Sequence, residues 1–260
     1  MLNNLINYYS SRFDESKRHT DLFGTIQEHR SLELITRYLP DNAASILDVG
    51  GATGVYSFKL ADMGHKVTLL DIVPSHIAKA KEQNDSQTNK LEDLVTCDIR
   101  DYRTDKKFDM IILHGPLYHI TVRSIRISLL TKLATHLSPK GSILGFAINR
   151  FAGYFYGVRS GVITKEDYRK MVMYEMQSGI RNKEPGWYFH KPDELESEFL
   201  SAGLNVITTK SVTSQVWMIP GAEERISDPT YLAELIRRAK EVEDYPEIGQ
   251  DMVCVGKLTD

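Results

Sequence analysis

The chain of 260 residues has the length of one large domain, and its 42% hydrophobic and 26% charged residues are sufficient for a buried core with a hydrated surface. That balance excludes an intrinsically disordered chain. The formal net charge of −3 disfavours a surface that coats nucleic acid. The 2 cysteines are too few for a disulfide framework or a four-cysteine metal site.

No apolar segment in the sequence approaches the roughly 20 residues that a membrane-spanning helix needs, and the first residues do not resemble a signal peptide. We therefore expect a cytoplasmic protein without membrane contact. Apolar residues at helical spacing predict a short helix that contains Tyr9 and a second helix that begins near Asp21. Residues 1–40 are expected to form a helical cover, and residues 41–260 the main domain.

From residue 45 onward, short apolar runs alternate with helical patterns. Nearly continuous apolar runs are typical of strands that are covered on both faces. The alternation predicts an α/β fold, a Rossmann-like doubly wound and mostly parallel sheet of seven strands. The predicted strands are 45–49, 66–72, 93–99, 109–115, 142–148, 205–212 and 252–258.

Two segments interrupt this alternation: we expect a helical, aromatic-rich insert over 150–190 and a second insert over 213–250. The first contains nine aromatic residues between positions 151 and 189. They can form a lid over the ends of the strands, or a satellite core beneath the insert. Arg159, Arg169 and Arg181 in the same segment are candidates for contacting an anionic substrate.

The most informative local pattern is ILDVGGATGVYSFKLADMG at 46–64, which predicts a strand, a glycine-rich turn and a helix. Glycines allow the backbone to approach a ligand, and a helix N-terminus offers free N–H groups. A dinucleotide site requires G-x-G-x-x-G, but Ala52 and Val55 occupy the second and third glycine positions. An NAD(P)-dependent oxidoreductase is therefore disfavoured.

Acidic residues follow two of the predicted strands. Asp48 beside the turn repels phosphates and suits a cationic ligand, although it can also simply brace the loop. Asp71 ends the second strand, where a carboxylate can accept hydrogen bonds from both ribose hydroxyls of a nucleoside. An acidic residue at the position of Asp71 occurs in sites for different nucleoside cofactors, so it does not distinguish among these cofactors.

The run DVGGATG resembles the first motif of the class I S-adenosylmethionine-dependent methyltransferases, with Ala52 in place of the usual middle glycine. The resemblance implies S-adenosylmethionine as cofactor and S-adenosylhomocysteine as product. It further implies that Asp98 contacts the adenine amino group and that the N-terminal helix covers the cofactor. The cofactor-binding residues implied in this way are Asp48, Gly50, Gly51, Ala52, Gly54, Asp71, Ile72, Asp98, Ile99, His114 and Tyr9.

The fourth predicted strand ends in LHGPLYHI at 113–120, which resembles a subgroup of small-molecule methyltransferases. Enzymes that methylate amino groups of nucleic acids instead carry Asn- or Asp-Pro-Pro-Tyr there, and Gly115 has no side chain to accept an amine hydrogen. His119 is the candidate catalytic base and Tyr118 its neighbour. His119 can alternatively pack the following helix. A metal pair of His114 and His119 lacks an acidic partner, so no metal is expected.

These observations predict a methyltransferase that modifies oxygen or nitrogen of a small-molecule acceptor with an aromatic or apolar body. A dedicated base is optional, because positioning alone can supply about 7–11 kcal/mol of the barrier. The alternatives are an RNA- or protein-modifying methyltransferase and a non-catalytic protein that binds S-adenosylmethionine. The sequence does not indicate the oligomeric state.

Overall fold

Nine strands and ten α-helices make up the computed structural model, which describes residues 2–12 and 15–258. The strands are β1 (Ser45–Val49), β2 (Lys66–Asp71), β3 (Asp93–Thr96), β4 (Phe108–Leu113), β5 (Leu137–Asn149), β6 (Ile180–Arg181), β7 (Trp187–His190), β8 (Leu204–Ser211) and β9 (Asp251–Leu258). The helices are α1 (Leu2–Ser11), α2 (Leu22–Arg37), α3 (Val55–Asp62), α4 (Pro74–Ser86), α5 (Pro116–His119), α6 (Arg123–Ala134), α7 (Ala152–Arg159), α8 (Glu166–Ser178), α9 (Pro192–Ser201) and α10 (Pro229–Glu241).

Seven strands form the main sheet in the order β3-β2-β1-β4-β5-β9-β8. β9 runs antiparallel to both of its neighbours, while β1 pairs in parallel with β2 on one side and β4 on the other. The strand order therefore reverses direction at β1 and β4. In open α/β sheets, ligands bind outside the carboxyl ends of the strands at this point.

The central strands of the main sheet are buried on both faces, whereas the edge strands β3 and β8 are partly exposed. Leu47 and Val49 of β1 belong to one apolar cluster, which α6 and α9 cover, whereas Ile46 belongs to a second cluster beneath α2, α3 and α4. Burial on both faces explains why these strands occur in the sequence as nearly continuous apolar runs. The predicted fold class, a Rossmann-like and mostly parallel sheet, is confirmed.

The boundaries of some strands differ from the prediction. β3 ends at Thr96, because the following residues leave the sheet to form a wall of the cavity described below, while β5 extends to 13 residues. The structure also has two short strands that the seven-stranded prediction does not include. β6 and β7 form an antiparallel pair, and β7 joins the end of β5 through Ile148 and Asn149.

The segments outside the alternation have mixed structure. Residues 150–190 contain α7, α8, β6 and β7, and residues 213–250 contain α10 between short 3-10 turns. At the N-terminus, α2 begins where the sequence predicted: Asp21 caps it by accepting a 2.7 Å hydrogen bond from the Gly24 amide. Among the described residues, none of the helices combines the length and apolar character required to cross a bilayer.

Candidate active site

A cavity lies at the carboxyl ends of β1, β2, β3 and β4, where the strand order reverses. Its floor comprises the loops that follow these strands. α1 and the segment at 15–19 form the opposite wall. Eleven of the thirteen site residues predicted from the sequence line this cavity: Tyr9, Gly50, Gly51, Ala52, Asp71, Ile72, Asp98, Ile99, His114, Tyr118 and His119.

The glycine-rich turn brings backbone from two strands together. Gly50 has a φ of +75°, and a Cβ at this position would overlap the carbonyl oxygen of His114. Its amide donates a 2.7 Å hydrogen bond to the Leu70 carbonyl. Gly54 does not line the cavity, but its φ of +92° makes the turn into α3 possible. The backbone conformation of the turn therefore requires glycine at both positions.

Ala52 adopts the left-handed conformation, with a φ of +51°. This explains why glycine is usual in this position of the motif, since a Cβ in that region costs about 1–2 kcal/mol. The Ala52 amide donates a 2.9 Å hydrogen bond to Oδ2 of Asp71, which holds the turn against the neighbouring strand. The alanine therefore preserves the path of the turn at the expense of local backbone strain.

Asp48 lies beneath the cavity and does not line it. Its side chain is fully buried, and Oδ2 accepts a 2.6 Å hydrogen bond from the Ser57 hydroxyl. Burial raises the pKa of Asp48 to about 6, while the Ser57 hydrogen bond opposes that rise. This position corresponds to the loop-bracing interpretation of the residue.

Asp71, in contrast, faces the cavity from the end of β2. Its Oδ1 accepts a 2.8 Å hydrogen bond from the Val73 amide, and its Oδ2 accepts the bond from Ala52. Each carboxylate oxygen can accept a further hydrogen bond, because one lone pair remains on each. The carboxylate is thus oriented by backbone and retains the capacity to bind two hydroxyl groups.

Asp98 and two isoleucines line the adjacent part of the cavity. Burial raises the pKa of Asp98, but hydrogen bonds from Arg100 outweigh this effect and leave it below the usual value. The Arg100 guanidinium pairs with this carboxylate at 2.5 Å. Ile72 and Ile99 belong to the loops after β2 and β3, and they supply apolar surface suited to a flat aromatic ring.

His114 follows β4, and its ring stacks between Tyr56 and Phe146, with centroid distances of 5.2 and 3.9 Å. Burial, assisted by the nearby Arg18 and His19, lowers the pKa of His114 to about 3. His114 is therefore neutral at physiological pH. Its backbone connects β4 to the glycine turn, since the His114 amide donates to the Val49 carbonyl at 2.9 Å.

His119 contacts both α1 and the segment before β7. Nδ1 lies 3.3 Å from the Gly186 carbonyl and Nε2 lies 2.9 Å from the Tyr9 hydroxyl. A carbonyl only accepts, so Nδ1 carries the proton and Nε2 accepts from Tyr9. Burial lowers the pKa of His119 to about 4, although the Gly186 hydrogen bond opposes this. The imidazole is a neutral and weak base whose acceptor nitrogen is engaged by Tyr9.

Tyr118 completes an aromatic cluster beside His119. Its ring stacks against Trp187 with an interplanar angle of 10°, and Trp187 lies 4.5 Å from the His119 ring. Burial raises the pKa of Tyr118 to about 12, so its hydroxyl keeps its proton. This part of the cavity is an aromatic wall with two hydroxyl groups, those of Tyr9 and Tyr118.

Several residues that line the cavity were not predicted from the sequence. Arg18 and Glu15 form an ion pair at 2.5 Å in the cavity wall, between two helices whose connection had no recognisable pattern. His76 lines the cavity beside Asp71. The sequence signal for His76 is its position in the first turn of the helix that follows the strand-end residue Asp71.

The aromatic insert lies mostly away from the cavity. None of its nine aromatic residues lines the cavity among the residues described, although Trp187 supports the cluster from behind. Tyr168 instead donates a 2.8 Å hydrogen bond to the Gly153 carbonyl, which joins α8 to α7. Arg181 pairs with Glu175 and Arg159 with Glu223, so both arginines already have anionic partners.

Comparison with known proteins agrees with this geometry. Residues 46–141 match the profile of a protein family described as a methyltransferase domain. Nodulation protein S of Bradyrhizobium diazoefficiens is 30% identical over 105 residues, 40% of this chain and 48% of that protein. The cypemycin N-terminal methyltransferase of a Streptomyces species is 30% identical over 110 residues, 42% of this chain and 43% of that protein. The matched regions thus span about half the length of these curated relatives.

Solved structures resemble the whole chain. The N-methyltransferase NodS from Bradyrhizobium japonicum, in complex with S-adenosylhomocysteine, superposes with a TM-score of 0.60 at 13% identity and covers 100% of this chain and 99% of its own. Magnesium protoporphyrin IX methyltransferase from Synechocystis gives a TM-score of 0.61 at 13% identity, with 99% of each chain covered. At these identities the likeness concerns the fold.

Proposed function

Since residues 46–141 form a domain that belongs to the class I S-adenosylmethionine-dependent methyltransferases, we propose that this chain binds S-adenosylmethionine in the strand-end cavity and transfers its methyl group to a small-molecule acceptor. Nitrogen is the favoured acceptor atom, because the relatives with named chemistry include the N-methyltransferase NodS and an N-terminal methyltransferase. Oxygen remains the alternative that the experiment below distinguishes.

The observation that carries the proposal is the pairing of the glycine turn with Asp71. Gly50 and Gly51 line the cavity without side chains, and the Asp71 carboxylate beside them is held in position by two backbone amides. Asp71 would bind the ribose hydroxyls, Ile72 and Ile99 would flank the adenine, and Asp98 would lie at the adenine edge. These donors and surfaces fit the cofactor, and the carboxylate disfavours a pyrophosphate.

S-adenosylmethionine, when bound, supplies a methyl group on a positively charged sulfur. The chain's own contribution is to hold the acceptor in line with that group and to exclude water. Leu5 and Tyr9 of α1 close the cavity over the strand ends, and Tyr118 and His119 close it from the side of α5. Their mainly apolar and aromatic surfaces suit an acceptor with an apolar or aromatic body.

His119 and Tyr118 are the proposed acceptor-side residues, and the role proposed for His119 differs from that of a strong base. Its pKa of about 4 makes it a poor proton acceptor at neutral pH. Its Nε2 instead accepts a hydrogen bond from the Tyr9 hydroxyl and so holds that phenol in the cavity wall. His119 thus acts as a positioning residue through Tyr9, and Tyr118 offers a second protonated hydroxyl.

Calorimetric titration with S-adenosylhomocysteine, with NAD as a control ligand, tests cofactor binding. Transfer of a radiolabelled methyl group from S-adenosylmethionine is then measured with pools of small amines, small alcohols, short peptides and tRNA. Label in the amine pool supports the proposal. Label in the alcohol pool would mean that the acceptor atom is oxygen and not nitrogen. Label in tRNA alone would contradict it, and binding without transfer to any pool would favour a non-catalytic role. A folded protein that binds neither ligand would overturn the proposed cofactor.

A further inference from the structure

His76 is a cavity residue with unused hydrogen-bonding capacity. It belongs to the first turn of α4, five residues after Asp71, and its side chain is 6% exposed. Both of its ring nitrogens are buried and make no hydrogen bond to any of the residues described in the structure. Buried polar groups in proteins are nearly always paired, so an unpaired imidazole in a cavity wall indicates a partner that enters the cavity.

The neighbours of His76 lie close to its ring without forming a hydrogen bond with it. Nδ1 lies 3.4 Å from Oδ1 of Asp71 but does not form a hydrogen bond with it, and that oxygen already accepts from the Val73 amide. On another side, the Tyr9 ring lies edge-on at a centroid distance of 6.1 Å. The imidazole is thereby held between a carboxylate and an aromatic ring, at the border of the cavity.

The chemistry of the two side chains identifies the group that suits them. A neutral imidazole offers one donor and one acceptor, whereas an ionised carboxylate only accepts. A hydroxyl group both donates and accepts, so it can donate to Asp71 and at the same time accept from His76. Two adjacent hydroxyls on a sugar ring can use both oxygens of the carboxylate, and one of the two can also accept from the imidazole. An anion would be repelled by Asp71.

We propose that His76 hydrogen-bonds a ribose hydroxyl of the nucleoside in this cavity and so shares the recognition of the sugar with Asp71. The inference rests on the proposed function, because it takes the nucleoside to be the adenosine half of S-adenosylmethionine. It assigns His76 to ligand binding, with Tyr9 packed against its ring as a support.

The test compares S-adenosylhomocysteine with its 2′-deoxy and 3′-deoxy analogues by calorimetry, for the wild-type chain and three variants. His76→Phe retains a planar ring without nitrogens, His76→Ala removes the ring in case the phenyl group does not fit, and His76→Gln restores a donor and an acceptor. His29→Phe, at an exposed position of α2, is the matched control. Circular dichroism establishes that each variant is folded.

We expect His76→Phe and His76→Ala to weaken S-adenosylhomocysteine binding about tenfold, corresponding to one lost hydrogen bond. One of the two deoxy analogues should lose less than about threefold, since the hydroxyl that His76 binds is already absent from it. His76→Gln should recover part of the affinity. Unchanged binding, or an equal loss for all three ligands, would overturn the inference while leaving the proposed function intact. A wild-type chain that binds none of the three would overturn both.

Discussion

The two walls of the cavity are built in different ways. The strand-end wall comprises the loops after β1, β2, β3 and β4, and backbone hydrogen bonds connect it: Gly50 to Leu70 at 2.7 Å and His114 to Val49 at 2.9 Å. The helix wall comprises α1 and residues 15–19, and α1 has no buried residue. Side chains attach it, through Asn4 to Glu184 at 2.7 Å and Tyr9 to His119 at 2.9 Å.

This difference separates two tasks. The strand-end wall is part of the sheet and is held by backbone hydrogen bonds, so it suits the binding of the proposed cofactor. The helix wall contributes the side chains nearest the proposed acceptor, and it can be changed without altering the sheet. Substitutions in the first wall should therefore affect cofactor binding, whereas those in the second should affect transfer.

The largest effect is expected for Asp71→Asn in the strand-end wall. Loss of the carboxylate removes hydrogen bonds to a charged acceptor, each worth about 1.5–3 kcal/mol, so S-adenosylhomocysteine affinity should fall about 10- to 100-fold. Calorimetry measures the change, with thermal unfolding as the check on folding. A folded variant with wild-type affinity would mean that the floor of the cavity does not bind the ribose.

In the helix wall, Tyr9→Phe should slow methyl transfer up to about tenfold, because the hydroxyl that His119 orients is lost. Affinity for S-adenosylhomocysteine should change less than about threefold. Steady-state kinetics with the acceptor found by screening separates the two quantities. The control is Tyr8→Phe, whose ring packs on Trp187 outside the cavity lining. A loss confined to cofactor affinity would contradict the division between the walls.

The acid sensitivity of the fold should depend on His114. Its pKa of about 3 in the folded chain lies below the unfolded value of about 6.5, so the unfolded state binds the extra proton between these values. Stability from this residue is complete above about pH 6.5 and is lost as pH falls toward 3. His114→Phe should reduce the pH dependence of the unfolding free energy by about 1.4 kcal/mol per pH unit within that window.

Urea unfolding at pH 4.5, 5.5 and 7 measures this slope. His29→Phe provides the comparison, since His29 is exposed on α2 and lies outside the cavity lining. An identical slope in wild type and His114→Phe would show that the ring between Tyr56 and Phe146 takes up a proton as readily in the folded chain as in the unfolded one.

The smallest effect is expected for Asp48→Asn, although Asp48 belongs to the run that resembles the first motif of methyltransferases. Its carboxylate lies beneath the floor and contacts Ser57, which can donate equally to an amide oxygen. Calorimetry should give an affinity for S-adenosylhomocysteine within about threefold of wild type, since no hydrogen bond to the ligand is removed. A tenfold loss would mean that Asp48 acts on the ligand through the turn above it.

The centre of the sheet was predictable because its strands are buried on both faces, so that consecutive residues such as Ile46 and Leu47 are both apolar. Asp71 was predictable for a related reason: a carboxylate at the end of a buried strand has a fixed position in this fold. Ala52 was recognised as a departure, but its left-handed backbone, which explains the usual glycine, is visible in the structure alone.

The helix wall was not predictable in the same way. The sequence shows that α1 is amphipathic, but what its apolar side covers depends on contacts between residues far apart in the chain, such as Tyr9 with His119. Arg18 is a cavity residue for the same reason, and no local periodicity marks it. The aromatic insert suggested a lid, yet α7 and α8 pack largely on each other through Tyr168.

The direction of β9 has a practical consequence for handling the protein. Asp251 pairs with Ile148 near the cavity end of β5, and Lys257 pairs with Ser142 toward the opposite end, so the chain leaves the sheet on the side away from the cavity. Leu2, by contrast, lies in the cavity lining. An affinity tag or a fusion partner is therefore better joined on the side of β9 than ahead of α1, whose first residue lines the cavity.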